Sequence, residues 1–536
     1  MGTIKIIKKA KPILITLSIL LILLISITAI SATNNITDKQ LNTNNQLDEI
    51  STINQTLQST VNSQLLQSEE TGTFADLNTD LKGKTGEIAL SKNYTYNSST
   101  DSIYKNGILL SDGLIINGNG HTINGNDAAK AFIITGTSTV AINNLTFTNC
   151  KSANGTGNNS YGGVILSNST GNLTIINCTF TNNLANVNGG CVCMRSDSAI
   201  ANSSLIVVNS TFINNTVNSN GGALFIKNGN LTVNDCIFIN NVAKDWGGAL
   251  SSRSGNTIIN NGYFLNNTAY SSANSNKYGG GAIYIGSDVT GFANCTIYNS
   301  NFTLNKMDKS IYDGGAIYVF NTGKYLAYLN LYNSTFNNNS ARYGGAFYVV
   351  KGDIYIDGSK FNHNNASSGG AIYVNSTSTF NFINSTLNGN NATKTGVINL
   401  ITVKNVNLIN STFINNTGEQ GGVLYSYNSP FTVNVNGSTF INNNATQEGG
   451  CFYILCNGVI INNSTFISNK TSKEGGVLYN IKTYDGDDNL TIFYSNFINN
   501  TALSGASIYT GYSHFTNISY SNFTGNNVTD EASVMY

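Results

Sequence analysis

Short runs in which apolar and polar residues alternate, each ended by Gly or Asn, recur from Ile103 onward. In one stretch Leu231 and Val233 alternate with polar residues, Ile237 and Phe238 follow, Asn240 and Asn241 turn, and residues 247–250 begin another run. Alternation with a period of two predicts half-buried strands. Gly and Asn supply the positive-φ positions that sharp corners need. No Pro lies between Pro12 and Pro430, which leaves almost every backbone N–H in that span free to pair with another strand.

The alternation is organised into a repeat. Phe followed three residues later by Asn occurs at Phe180, Phe212, Phe238, Phe264, Phe302, Phe336, Phe361, Phe413, Phe440, Phe466, Phe497 and Phe523, with Phe147 and Leu387 as degenerate copies. After each comes Gly-Gly, a small residue, an aliphatic residue and often Tyr, as at Gly221, Gly247, Gly280, Gly314, Gly344, Gly369, Gly421, Gly449 and Gly475, with weaker copies at Gly396 and Gly505. The spacing is roughly 26 residues, a period that marks a solenoid whose coils touch only their neighbours. That length closes a coil of three strands of about 5 residues with their corners. The expectation is an all-β chain wound as a single-stranded parallel β-helix. Parallel stacking brings equivalent residues to about 4.8 Å, so the Phe side chains form an internal ladder and the Asn side chains an amide ladder. Fourteen Phe-type repeats then span roughly 65 Å.

The N-terminal part departs from this pattern. Lys5, Lys8, Lys9 and Lys11 precede an apolar run over residues 13–30 and then Ser31-Ala32. Residues 1–32 fit either a cleaved export signal or an uncleaved anchor, since the run is long enough to span a bilayer. Either way the bulk of the chain lies outside the cytoplasm. Residues 33–72 are rich in Asn, Gln, Ser and Thr and carry a helical stripe of Ile50, Ile53, Leu57, Val61 and Leu65. They fit a polar linker or a short coiled-coil stalk. Phe74, Leu77 and Leu81 suit a short amphipathic helix and residues 88–90 a strand, so residues 73–91 predict a lid on the first coil. Residues 73–130 then form the N-terminal cap and first coils, and 131–536 the β-helix repeats. At the other end residues 531–536 occupy the Gly-Gly-Ala-Ile-Tyr slot, so the reading expects either a partner over an open edge or a truncated copy.

Charge narrows the class of partner. Charged residues make up 10% and the net charge is zero, against about 25% charged in ordinary soluble proteins. Without a basic stripe, nucleic acid is excluded as a ligand. The eight cysteines follow the repeat: Cys178 and Cys236 stand where Ser is usual, Cys191 and Cys451 where Ala is usual. They read as small buried residues; pairing of Cys191 with Cys193, or of Cys451 with Cys456, is the alternative.

The paired signatures resemble those of the chlamydial polymorphic outer-membrane proteins. The whole pattern over residues 73–536 is similar to the adhesin-like surface proteins of methanogenic archaea: a capping segment with residues 73–77 and Tyr94, the stretch 118–123, then Asn-Ser-Thr-Phe-x-x-Asn repeats. The resemblance implies a right-handed parallel β-helix of the pectin-lyase type, surface display and attachment. Its repeats specify architecture far more than activity.

Candidate chemistry is sparse. Burying the aliphatic residues after Gly-Gly puts Tyr348, Tyr373, Tyr425, Tyr453, Tyr479 and Tyr509 outside as a ladder. Such a ladder either stacks on sugars or meets a protein, because Tyr is amphipathic and costs little entropy to order, or it packs upon itself. Glu448 and Glu474 occupy one slot in successive coils, about 5 Å apart, close enough to share a cation or raise one carboxyl. Asp313 holds the same slot far away, and a solvated corner is the plainer reading. Asp485, Asp487 and Asp488 lie in a longer connection that is either a Ca²⁺ loop or simply polar. His121, His363 and His514 fall in unrelated registers, and Trp246, the only Trp, precedes Gly247 where other coils carry Tyr and is a candidate contact point. Asn-x-Ser/Thr acceptors are abundant, among them Asn144, Asn209, Asn230, Asn333, Asn410 and Asn463. The expected function is attachment or envelope structure at the cell surface, without cofactors, toward glycans or proteins of other cells or its own envelope. A polysaccharide lyase or hydrolase on the same fold is the alternative.

Overall fold

The computed structural model describes residues 70–196, 203–270, 279–287, 293–308, 313–321, 327–427, 431–481, 489–511, 515–530 and 534–535. The chain divides into Met1–Glu69 and Glu70–Tyr536. Residues 1–32, for which the sequence predicts an export signal or anchor, nearly all of 33–72, the connection with Asp485, Asp487 and Asp488, and His514 lie outside the described residues.

The second unit is a parallel β-helix. In the coil of Phe238 the strand Asn230–Asn234 is followed by Ile237–Ile239, the two-residue strand Val242–Ala243 and, after Gly247-Gly248, Leu250–Arg253. Each strand pairs in parallel with its equivalents in the coils before and after, so Phe212, Phe238, Phe264 and Phe302 lie in direct register. A coil therefore holds four strand segments where three are expected. Two of them merge into one strand in Ile372–Ile383 and Ile398–Ile409, where a left-handed Ser376 or Thr402 replaces the longer connections of other coils.

Corners follow from backbone conformation. Asp235, at φ 54, turns the chain between the first two strands and Asn240, at φ 54, between the next two. The Asn pair after each Phe thus divides its work. Asn415 is exposed in the left-handed region, while Asn416 is wholly buried. His363 occupies the left-handed slot with φ 54, a turn role consistent with its place in the repeat. Gly221 has φ +71, and a Cβ on Gly222 would strike the Gly248 carbonyl, so the Gly-Gly pair marks the tightest approach of successive coils.

Two ladders hold the core. The rings of Phe180, Phe212, Phe238, Phe264, Phe302 and Phe336 stack at 4.7 to 4.8 Å with interplanar angles of 3 to 6°. Each buried Phe contributes about 1.5–3 kcal/mol by burial, and each aromatic pair about 0.5–1.5 more. Beside them runs the amide ladder. Asn241 Nδ2 donates to Asn267 Oδ1 at 3.0 Å and to the Phe212 carbonyl at 2.9 Å, and the Asn241 backbone N–H also donates to Asn267 Oδ1 at 3.0 Å. The same pattern continues through Asn305, Asn339, Asn364, Asn390, Asn416, Asn443, Asn469 and Asn500. Cys150 takes the Asn slot in an early coil, and its N–H donates to Asn183 Oδ1 at 2.9 Å.

The first coil is covered by helix α1, Phe74–Leu81, which buries Phe74, Leu77 and Leu81. Thr73 and Asp76 form a reciprocal capping box. The buried carboxylate of Asp101 accepts the N–H groups of Phe74, Ala75 and Asn97 at 2.9, 3.2 and 2.9 Å, tying α1 to the next turn of chain.

Candidate functional site

The outward ladder after Gly-Gly is in register from Leu166 through Cys193, Phe225, Ser251, Tyr284, Tyr318, Tyr348 and Tyr373 to Asn399, then Tyr425, Tyr453, Tyr479 and Tyr509. Alternation does send these residues away from the core. Exposure does not follow, because residues just ahead of Gly-Gly fold across part of the flank.

Two stretches are closed. Leu166, Cys193 and Phe225 pack beneath Tyr161, and Arg195 lies 4.6 Å from the centre of that ring. Farther on, Tyr284, Tyr318, Tyr348 and Tyr373 are only 2 to 8% exposed. Trp246 stacks on Tyr284 at 4.9 Å and Tyr343 on Tyr373 at 4.9 Å, while Tyr348 meets Tyr373 edge to face. Arg342 covers Tyr343 at 4.2 Å and donates to the nearly buried Asp313 at 2.9 Å. Burial, then Tyr373 and Asp313, raise the Tyr348 phenol, and burial, then Tyr343 and Asp313, push Tyr373 up to about 12. Tyr348 and Tyr373 are therefore corrected from exposed positions to members of a second, outer apolar cluster.

The third stretch is open. Asn399 interrupts the aromatic series, and beyond it Tyr425, Tyr453, Tyr479 and Tyr509 are half-exposed. Their rings stack at 5.2, 5.1 and 5.5 Å with angles of 7 to 12°. The ring faces are occupied by one another, so face-on stacking against a sugar is closed to all but the ends of the row. What the strip presents is ring edges and hydroxyls. Burial, then Tyr453, Glu448 and Glu474, push the Tyr479 phenol up to about 12.

Glu448 and Glu474 do lie in adjacent coils, and the Gly449 N–H donates to the Glu474 carbonyl. The Glu448 carboxylate is engaged by Lys473 at 3.1 Å and by Gln420 Nε2 at 2.9 Å. Glu448 is thus held in its corner by side chains from the coils on either side. Among the described residues no group of three His, Cys, Asp or Glu side chains is placed to hold a metal. All eight cysteines are free and buried. Cys191 lies in the main core and Cys193 in the outer cluster, so the strand separates them; burial pushes both thiols up. The covering role of Tyr161 and Tyr343, with Arg195 and Arg342 over their rings, is not marked in the repeat. An aromatic residue directly before Gly-Gly is visible in the sequence at Tyr161, Trp246 and Tyr343, without a sign of which rings it covers.

The family model described as the Chlamydia polymorphic membrane protein repeat matches residues 209–227, 235–253 and 333–350. Each span runs from the left-handed corner ahead of the repeat Phe through the strand after Gly-Gly. No curated protein matches the chain. Among solved structures, the mannuronan C-5 epimerase AlgE6 A-module of Azotobacter vinelandii is similar at 10% identity, over 85% of this chain and 93% of that one, with a TM-score of 0.20, too low to carry an inference. The chain thus carries repeats similar to those of chlamydial polymorphic membrane proteins, set on a parallel β-helix.

Proposed function

We propose that the protein is a secreted or cell-surface attachment protein of the adhesin-like kind that methanogenic archaea display, offering the flank of its β-helix to glycans or proteins of another cell or of its own envelope. The observation that carries this reading is the match of three coils to a repeat named for membrane proteins, on a fold whose described residues form a continuous ladder of coils. The change of the flank from closed at Tyr284 to open at Tyr425 supports it, because a purely space-filling coil needs no such variation. Immunolabelling of intact cells, with and without protease shaving, tests the location. Attachment of the purified chain to cells, weakened when Tyr425, Tyr453 and Tyr479 are changed to Ser, tests the role. A polysaccharide lyase or hydrolase would instead release unsaturated or reducing ends from acidic polysaccharides and lose that turnover in Glu448→Gln or Glu474→Gln. Turnover of that kind overturns the proposal.

A further inference from the structure

The open stretch of the flank has a definite repeat and a definite chemistry. Tyr425, Tyr453, Tyr479 and Tyr509 supply one ring per coil, at 5.2, 5.1 and 5.5 Å along the direction of coil stacking. Among the described residues, no protein group hydrogen-bonds the hydroxyls of Tyr425, Tyr453 or Tyr479. A tyrosine hydroxyl that is not satisfied within the protein is left for solvent or for a ligand. Gln420, Glu448, Lys473 and Glu474 line one side, and only Glu448 among the carboxylates is paired with a cation.

A partner that uses every ring must repeat at nearly the spacing between strands. An extended polypeptide repeats side chains on one face at about 6.8 Å, and it falls out of step within a few rings. A β-1,4-linked glycan in its extended form advances by about one strand separation per sugar; it turns over at each linkage, so successive sugars offer opposite edges to successive rings, each edge carrying hydroxyls, and the chain stays in step. The carboxylates of Glu448 and Glu474 bias the strip against a polyanion. We propose that the strip of Tyr425, Tyr453 and Tyr479 binds an uncharged, extended β-1,4-linked glycan along the coils, one sugar per tyrosine. This rests on the attachment reading above and names its ligand class.

The test is calorimetric titration of the full chain with β-1,4-linked oligomers of N-acetylglucosamine and of glucose, from two to six sugars. For at least one series, affinity is expected to climb until three sugars are reached and then level off. The variant Tyr453→Phe/Tyr479→Phe keeps the rings and their stack, so thermal unfolding should not move, while trimer binding should weaken by about tenfold for two lost hydrogen bonds. Absence of binding to both series, affinity independent of length, undiminished binding by the double Phe variant, or tighter binding of a polyuronate of equal length overturns the proposal. If oligomers fail to bind while cells still attach through Tyr425, Tyr453 and Tyr479, the ligand class falls and the attachment reading stands. If neither occurs, both fall.

Discussion

Replacing Asn416 by Ala removes one rung of the buried amide ladder and leaves its neighbours in place. Asn416 Oδ1 accepts the backbone N–H of Asn390 at 3.1 Å and its Nδ2 at 3.0 Å; Asn416 Nδ2 donates to the Leu387 carbonyl at 3.0 Å and to Asn443 Oδ1 at 3.0 Å. Asn443 Oδ1 keeps the Asn416 backbone N–H at 3.1 Å. The main loss therefore falls on two donors of Asn390, its backbone N–H and one proton of its side-chain amide. Each buried donor without a partner costs about 1–3 kcal/mol, so the variant should be destabilised by about 4 kcal/mol. Because coils interact only with their neighbours, the loss should be local. Hydrogen exchange at the Asn390 amide should accelerate by about a thousandfold, while amides several coils away keep their protection. Asn415→Gly is the control: Asn415 is exposed at φ 54, and Gly389 and Gly525 fill the same slot. It should change stability by a few tenths of a kcal/mol. An effect of Asn416→Ala below about 1 kcal/mol, or one matched by Asn415→Gly, refutes the assignment of the ladder as a source of stability.

Other perturbations test other parts. Where Leu387 interrupts the stack, Phe382 fills the gap, 5.9 Å from Phe361 and 5.3 Å from Phe413. Leu387→Phe alone should overpack the core by about 1–3 kcal/mol, and adding Phe382→Leu should recover most of it in a double-mutant cycle by denaturant unfolding. Asp101→Ala strands three N–H groups at the cap and should cost about 3 kcal/mol, read as faster proteolysis within residues 73–91. Burial pushes the thiols of Cys178, Cys236 and Cys295 up to about 12, so a thiol reagent at pH 8 should leave them unmodified until the chain unfolds. Tyr479 rises from 10.0 to about 12 on folding; its contribution is fully present below pH 10 and is lost as pH climbs through 12. Phenolate absorbance should show a late-titrating class that Tyr479→Phe reduces.

The core was legible because its signals recur. A Phe three residues before a buried Asn, or a Gly-Gly at the closest approach of two coils, appears often enough for one slot to explain all its copies. Alternation also placed Tyr348 through Tyr509 on the outer side of their strand. It could not tell which of them stay exposed, because that depends on residues outside the repeat. Tyr343 and Trp246 come from the connection ahead of Gly-Gly, and nothing in the period specifies that they turn back across Tyr373 and Tyr284. The likeness of Glu448 and Glu474 in sequence concealed a difference of the same origin, since Lys473 and Gln420 reach Glu448 from the coils on either side. Phe382 supports the Phe stack from another strand of its own coil, a compensation for Leu387 that no single repeat announces.

These failures share a physical cause that bears on function. In a stack where each coil meets only the next, the Phe and Asn ladders fix position along the column, and outward slots are free to differ so long as their neighbours tolerate them. Changing Tyr373 to Asn399 to Tyr425 along one register leaves the Asn ladder between Asn364 and Asn443 unbroken, with every amide bond at 3.0 Å. The flank can then be closed in one group of coils and open in the next without any change of register inside. Binding in such a protein belongs to a run of coils, not to the repeat, and the run from Tyr425 to Tyr509 is where the outer surface stops covering itself.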